Sequence, residues 1–429
     1  MRFLRRHPNI EKIVSRLESA DEAVRKSAYD DLRTIRHEAG FDLKDGLYAL
    51  RAAARPFPVR NKYIDDPSKE LVYTAAVHPR PEYVPVLVEQ FPHYSGGGKD
   101  WALHGLARLN THESLSALVQ LLDKYAGSEI TSLPPILSTL KPEHPDALFP
   151  QIFAYATHPD LASDIYHLAL RYAEAGLLTG EKMAPFLPQM LEEYHRLHAN
   201  LEPRQQPEGV AWMYEDAYRD WRGPAGILLD LFGHLPTPEV KQVLRDALDL
   251  KDPRLKHFAL ASLLQQGEDV AAQHIDDVAA SPEMRGYLYT LLDEVGKLDL
   301  FPERFRTQEA LAEANMVDWL TYPTELASAP DEIELMKVVS EDLGPPEGVI
   351  DYYLFRYRTF PPHWAAEKGW MAGVSGPFLR NEGLSTESHG DTFSTFEPWD
   401  SITPDEHVAK IRELMDQWRD YHFKADRNN

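Results

Sequence analysis

Apolar positions in the middle of the chain recur at helical spacing. After Thr237 they are Val240, Val243, Leu244, Ala247 and Leu248. After Asp252 they are Leu255, Phe258, Ala259 and Leu263, with the small Ser262 beside them. After Ser281 they are Met284, Tyr287, Leu288, Leu291, Leu292 and Val295. An i, i+3, i+4, i+7 stripe buries one side of an α-helix. Each run opens with the same chemistry: a residue, then Pro, a charged residue and an apolar one. Thr237-Pro238, Asp252-Pro253 and Ser281-Pro282 follow it, and Arg80-Pro81 and His158-Pro159 begin looser versions. Thr, Asp and Ser oxygens cap a helix N-terminus, and Pro fits the first helical position because its missing N–H would have had no partner there.

The starts at 237 and 252 lie 15 residues apart, and those at 252 and 281 lie 29 apart. One helix per ~15 residues and a pair per ~30 is the period of an α-solenoid, in which stacked pairs share one core. An irregular bundle is the competing arrangement. Two stretches interrupt the phase: a loop holding Pro56 and Pro58 that ends at Asp66-Pro67, and residues 200–223. The second carries Trp212, Tyr214, Tyr218 and Trp221 among acids. Its rings either pack over neighbouring repeats or offer a face to a cation.

After Pro330 the period changes. Residues 332–341 and 348–360 are rich in β-branched and aromatic side chains, and 370–379 and 392–396 add two shorter strand candidates. Thr403-Pro404-Asp405-Glu406 then opens a last helix to about His422, with Thr403 and Glu406 placed as a capping box. The fold class read here is mainly α. Helix pairs fill residues 1–328, and a small α+β domain at 329–429 has an antiparallel sheet with one helix on one face. That domain holds its own core or caps the array.

At 429 residues with 43% apolar content, the chain is long enough for more than one core. It contains no Cys, which excludes disulfides and thiolate chemistry and suits a reducing compartment. No apolar stretch approaches the ~20 residues of a membrane span, so no membrane partner is expected and a cytoplasmic location is read. The net charge of −23 is uneven: residues 1–62 carry 14 Lys/Arg against 9 Asp/Glu, leaving the rest at about −28. Such a field repels phosphate backbones, so no nucleic-acid partner is expected, and it favours a basic protein or peptide. Solubility alone is the plainer account of the charge.

DPRLKHFALASLLQ, at 252–265, resembles a HEAT-type repeat helix, and DEAVRKSAYDDL, at 21–32, is similar. The resemblance spans roughly residues 8–325 and implies a protein-interaction scaffold. A few HEAT-like proteins are enzymes, among them DNA glycosylases and bilin lyases, but no residues here support either chemistry. YYLFRYR, FPPHWAAEKGWMAGVSGPF and TPDEHV, with MVDWLTYPTELASAPDEIELMKVV before them, resemble the C-terminal region of bacterial HEAT-like proteins. That resemblance brings no activity with it.

The candidate binding residues fall in this last region. His363, Trp364, Glu367 and Trp370 lie close in sequence, and His389 and Asp391 come from the next loop. Trp364 and Trp370 suit a binding surface. The His and acid residues would suit a weak metal site or an acid–base pair, and buried, hydrogen-bonded Trp and His are the plainer structural account. No HExxH, Gly-x-Ser-x-Gly, phosphate loop or dinucleotide fingerprint occurs, so no catalytic residue, metal or cofactor is assigned. The leading expectation is a non-catalytic interaction protein. The alternative is an enzyme or small-ligand binder with its site around His363 and His389, where the helical array meets the C-terminal domain.

Overall fold

The computed structural model describes residues 9–58, 65–125, 133–206, 209–345, 348–360, 369–389 and 392–426. It is mainly helical with a small antiparallel sheet near the C-terminus, and the chain divides into two compact units, residues 1–189 and 190–429. Among the described residues no helix is long and apolar enough to cross a membrane.

The first unit runs through α1 (Ile10–Leu17), α2 (Glu22–His37), α3 (Leu43–Ala53), α4 (Pro67–Val77), α5 (Val84–Gln90), α6 (Gly96–Leu109), α7 (His112–Tyr125), α8 (Leu133–Ser138), α9 (Pro145–Leu148), α10 (Pro159–Glu174) and α11 (Gly180–Met183). Here α4 packs on α2, α3 and α6, and α6 on α7. A fully buried guanidinium, Arg25, is held by the Asp65 carboxylate, and its Nε donates to both oxygens at 3.1 and 3.0 Å. Bidentate pairing of this kind is what makes a buried cation tolerable.

The second unit holds α12 (Leu187–Leu201), α13 (Asp216–Phe232), α14 (Pro238–Ala247), α15 (Pro253–Gln265), α16 (Ala272–Ala280), α17 (Pro282–Glu294) and α18 (Gln308–Leu320). Three of these helices, α14, α15 and α17, start on the X-Pro pattern. Thr237 Oγ1 accepts from the Val240 amide at 3.2 Å, and Asp252 Oδ1 from the Arg254 amide at 2.8 Å. Ser281 makes no such side-chain bond. Behind these starts the α14 stripe is buried as expected, and Ser262 of α15 fills its slot by donating to the Leu229 carbonyl at 2.8 Å. Tyr287 and Val295 depart from the expected α17 stripe: Tyr287 is 52% exposed. Two rings of the 200–223 stretch pack inward. Trp212 and Tyr218 are buried and meet edge to face at 4.9 Å, and Arg204 already covers the Trp221 ring.

Strands β1 (Glu332–Asp342), β2 (Val349–Arg358), β3 (Trp370–Leu379) and β4 (Phe393–Pro398) form an antiparallel meander in sequence order, followed by α19 (Pro404–Asp426). The capping box at the start of α19 is present: Thr403 N donates to Glu406 Oε2 at 2.6 Å, and Glu406 N to Thr403 Oγ1 at 3.3 Å. The single covering helix read from the sequence needs correction. Tyr353, Phe355 and Tyr357 of β2 pack with Met371 and Phe378 against Ala312, Met316 and Leu320 of α18. On the opposite face Ile350, Tyr352, Leu354, Ala372 and Val374 pack against Ile411 and Met415 of α19. With a helix on each face, β2 and β3 are buried almost throughout, which is why they show no clean polar–apolar alternation.

Two glycines make this layering possible. A Cβ on Gly373 would lie 2.5 Å from Met316 Cε, so its absence lets α18 sit on the sheet. Gly376 has φ +135° and passes the β2 backbone so closely that a Cβ would meet the Asp351 carbonyl oxygen at 2.8 Å.

Candidate acidic groove

Of the six residues singled out in the sequence, His363, Trp364, Glu367 and Asp391 lie outside the described residues. Trp370 opens β3 opposite Arg358. The guanidinium carbons of Arg356 and Arg358 each lie 4.4 Å from the centre of its ring, and these arginines pair with Glu334 and Glu332. Its π-system is therefore already served by cations of the same sheet. His389 sits elsewhere: its amide donates to the Pro377 carbonyl at 2.8 Å, and its ring pairs with Glu382. Seven residue steps of strand lead from Trp370 to Pro377, roughly 20 Å, so these two do not share a site. His407 is local, stacked on Trp399 at 4.7 Å with its Nε2 3.1 Å from the Trp399 carbonyl. Among the described residues no His, Asp and Glu cluster suits a metal ion.

The second unit carries a different site. A groove of about 460 Å³ runs between α15, α17, α18 and the loop after β3. That volume falls in the range of small-ligand pockets. Helical spacing builds one wall, because Glu283, Tyr287, Thr290 and Glu294 recur along a single side of α17. Asn315 and Asp318 come from α18, His257 from α15, and Thr386 and Glu387 from the loop.

The loop is fixed by α18. Gln308 Nε2 donates to the Ser385 carbonyl at 2.8 Å while Gln308 Oε1 accepts from the Ser385 amide at 2.9 Å. Asn315 Nδ2 donates to the Thr386 carbonyl at 3.4 Å, and Asn315 Oδ1 accepts from the Ser375 hydroxyl of β3 at 2.8 Å.

The electrostatics are one-sided. Four carboxyl groups line the groove (Glu283, Glu294, Asp318 and Glu387), with no Lys or Arg among the described lining residues. Glu283 is only 3% exposed; its Oε1 accepts from Arg254 Nε at 2.7 Å, and its Oε2 is buried without a hydrogen-bond partner. The buried Tyr214 phenol lies close to it, and burial together with the Glu283 charge pushes that phenol far up. Burial raises the Asp318 carboxyl above its ordinary range, opposed by the Tyr287 hydroxyl, which donates to Asp318 Oδ1 at 2.9 Å. Burial, then the Asp318 charge, pushes the Tyr287 phenol up to about 12. Burial pushes the His257 imidazole down to about 4, so this ring stays neutral at physiological pH, and its Nδ1 has no partner.

Sequence reasoning missed this site because its residues look ordinary along the chain. Glu283 reads as a first-turn acid of a helix and Tyr287 as core. The available signal was the polar stripe Glu283, Tyr287, Thr290, Glu294, a pattern that a solvated helix face also produces.

The groove belongs to a strongly acidic unit. Residues 190–429 hold 23 Lys/Arg against 44 Asp/Glu, a net −21, leaving about −2 for residues 1–189. Comparison with protein-family profiles and with curated proteins returned no match. Among solved structures the chain is similar to an engineered protein at 13% identity, covering 72% of this chain and 89% of that one, with a TM-score of 0.26.

Proposed function

We propose that this protein is a non-catalytic, cytoplasmic interaction protein whose acidic second unit takes a basic protein or peptide. In this reading the helices stack as a HEAT-like α-solenoid, closed at its end by the α/β layer. The packing of α15 on α13, α14, α16 and α17, nearest and next-nearest helices in sequence, supports that stacking. The observation that carries the binding role is the groove itself: four carboxyl groups, of which Glu283 is paired with Arg254, no Lys or Arg among the described lining residues, and a neutral His257. A field of this sign speeds the encounter with a cationic partner and disfavours an anionic one.

The test is retention of fluorescent 15-residue peptides of graded charge on the immobilised full chain, at low and high salt. Retention that rises with positive charge and falls with salt supports the proposal. Equal retention of acidic and basic peptides, or none of either, overturns it.

A further inference from the structure

We infer that the second unit holds a separate small-ligand pocket, built on the sheet, that takes an uncharged apolar molecule by its carbonyl oxygen. The pocket has a volume of about 550 Å³, within the range of small-ligand sites. It lies on the face of the sheet that α18 covers, beside the first turn of that helix, where Gln308 and Glu309 line it. Among the described residues it shares no lining with the acidic groove. Its floor is apolar: Phe378 and the Tyr353 ring meet edge to face at 5.7 Å, and Val338 of β1 lines the same space while 37% exposed.

Most polar groups around this floor are already committed. Gln308 is bonded at both ends to Ser385. Asp351, only 5% exposed, accepts from Arg380 Nε at 2.9 Å, from Arg380 Nη2 at 2.6 Å and from the Ser340 hydroxyl at 2.5 Å. Two donors remain. Tyr353 is 3% exposed, yet its hydroxyl makes no hydrogen bond among the described residues and is not sealed in the core, so it opens where this residue lines the pocket. Arg380 Nη1 makes none either. Burial pushes the Tyr353 phenol up, so it stays protonated and able to donate; the Asp351 and Glu309 charges add to the rise and Arg380 opposes it, which gathers these groups around the phenol oxygen.

The two vacant donors select the ligand. A carbonyl oxygen has two lone pairs and accepts from both. Charge decides against a carboxylate: Asp351 already neutralises Arg380, the exposed Glu309 adds a negative charge, and the unit as a whole carries −21. A cation is disfavoured by the donors themselves. What fits is a ketone or amide oxygen on an apolar body that covers Val338 and Phe378.

The test is ligand-observed fluorine NMR on the full chain with four probes that share one ring: para-fluoroacetophenone, para-fluoro-N-methylbenzamide, para-fluoroethylbenzene and para-fluorobenzoate. Saturable binding of the ketone or the amide is expected, about tenfold or more tighter than the ethylbenzene, which lacks the acceptor, and than the benzoate, which carries charge. Equal binding of the ethylbenzene overturns carbonyl recognition, and benzoate binding as tight as the ketone overturns the uncharged assignment. No saturation by any probe at about 5 mM overturns the pocket.

Replacing Arg380 would strip buried Asp351 of its partner, so two milder variants locate the site. Tyr353→Phe removes one donor and keeps the ring in the core, and Val338→Trp, at an exposed strand position, fills the pocket. Each is expected to weaken ketone binding about tenfold or more with the thermal unfolding curve unchanged. Tyr353→Phe should leave the weaker ethylbenzene binding as it was. Unchanged ketone affinity in both variants overturns the location. An equal loss of ketone and ethylbenzene in Tyr353→Phe shows a repacked floor and overturns the role of the hydroxyl.

Discussion

Asp252 joins two roles in one buried side chain. It caps α15 through the Arg254 amide and accepts from the Tyr218 hydroxyl at 3.0 Å, while Arg222 stands 3.9 Å away. Burial, first of all, raises its carboxyl above the ordinary 3.8. The folded state therefore holds this proton more tightly than the unfolded chain, so the contribution is present below pH 3.8 and is lost as pH rises through the higher folded value. Asp252→Ala should cost about 2–4 kcal/mol, from the lost cap and the orphaned Tyr218 hydroxyl. Asp252→Asn keeps the cap and should flatten the pH slope above pH 3.8, both measurable by urea unfolding at several pH values. Asp318 faces Tyr287, Glu283 and Arg254 and is also raised by burial, but there the charged form is what a cation selects. Affinity for a basic peptide should then rise with pH above 3.8 and level off once Asp318 is ionised, a profile that Asp318→Asn abolishes. Asp252 was legible in the sequence as a cap, because Asp-Pro before an apolar stripe has one reading. Tyr287 was not, because helical spacing alone does not say where a stripe's edge turns from core to groove.

At the scale of elements, the two-sided burial of the sheet rests on Gly373. Gly373→Val would force atoms into Met316 and Tyr357, whose Cε1 lies 3.1 Å from the position of a Cβ, and should cost about 1–3 kcal/mol by overpacking. Shortening the neighbour tests the mechanism: adding Met316→Ala should recover part of that loss, whereas Met316→Ala alone should destabilise by about 2–5 kcal/mol. Additive losses in the double variant would place the cost elsewhere. The four strands and α19 were readable from β-branched and aromatic runs, Pro punctuation and the capping box. The second covering helix was not. The Ala312, Met316, Leu320 stripe of α18 declares an apolar face but not its partner, and a sheet satisfies it as well as a neighbouring helix would. The groove inherits that ambiguity, because it forms only where α17 and α18 meet the loop after β3.

At the scale of the molecule, composition revealed the excess of acid and the basic first 62 residues, and the division into compact units locates it: −21 of the −23 belongs to residues 190–429. Charge distributed over a whole unit and charge inside a groove act on different steps of binding. The distributed field reaches an approaching cation through solvent and is screened beyond about 8 Å at physiological salt, so it governs encounter. The groove carboxylates act once the ligand has lost its water, so they govern escape. For an arginine-rich peptide mixed with the full chain in stopped flow, the association rate should fall about tenfold or more between ~20 mM and ~500 mM salt. Asp318→Asn changes the unit's charge by one in 21, so it should leave that rate nearly unchanged and raise the dissociation rate. Converting three exposed acids away from the groove, Asp216, Asp249 and Glu303, to their amides should do the opposite. An association rate indifferent to salt, or an Asp318 effect confined to association, would show that unit and groove do not divide the work in this way.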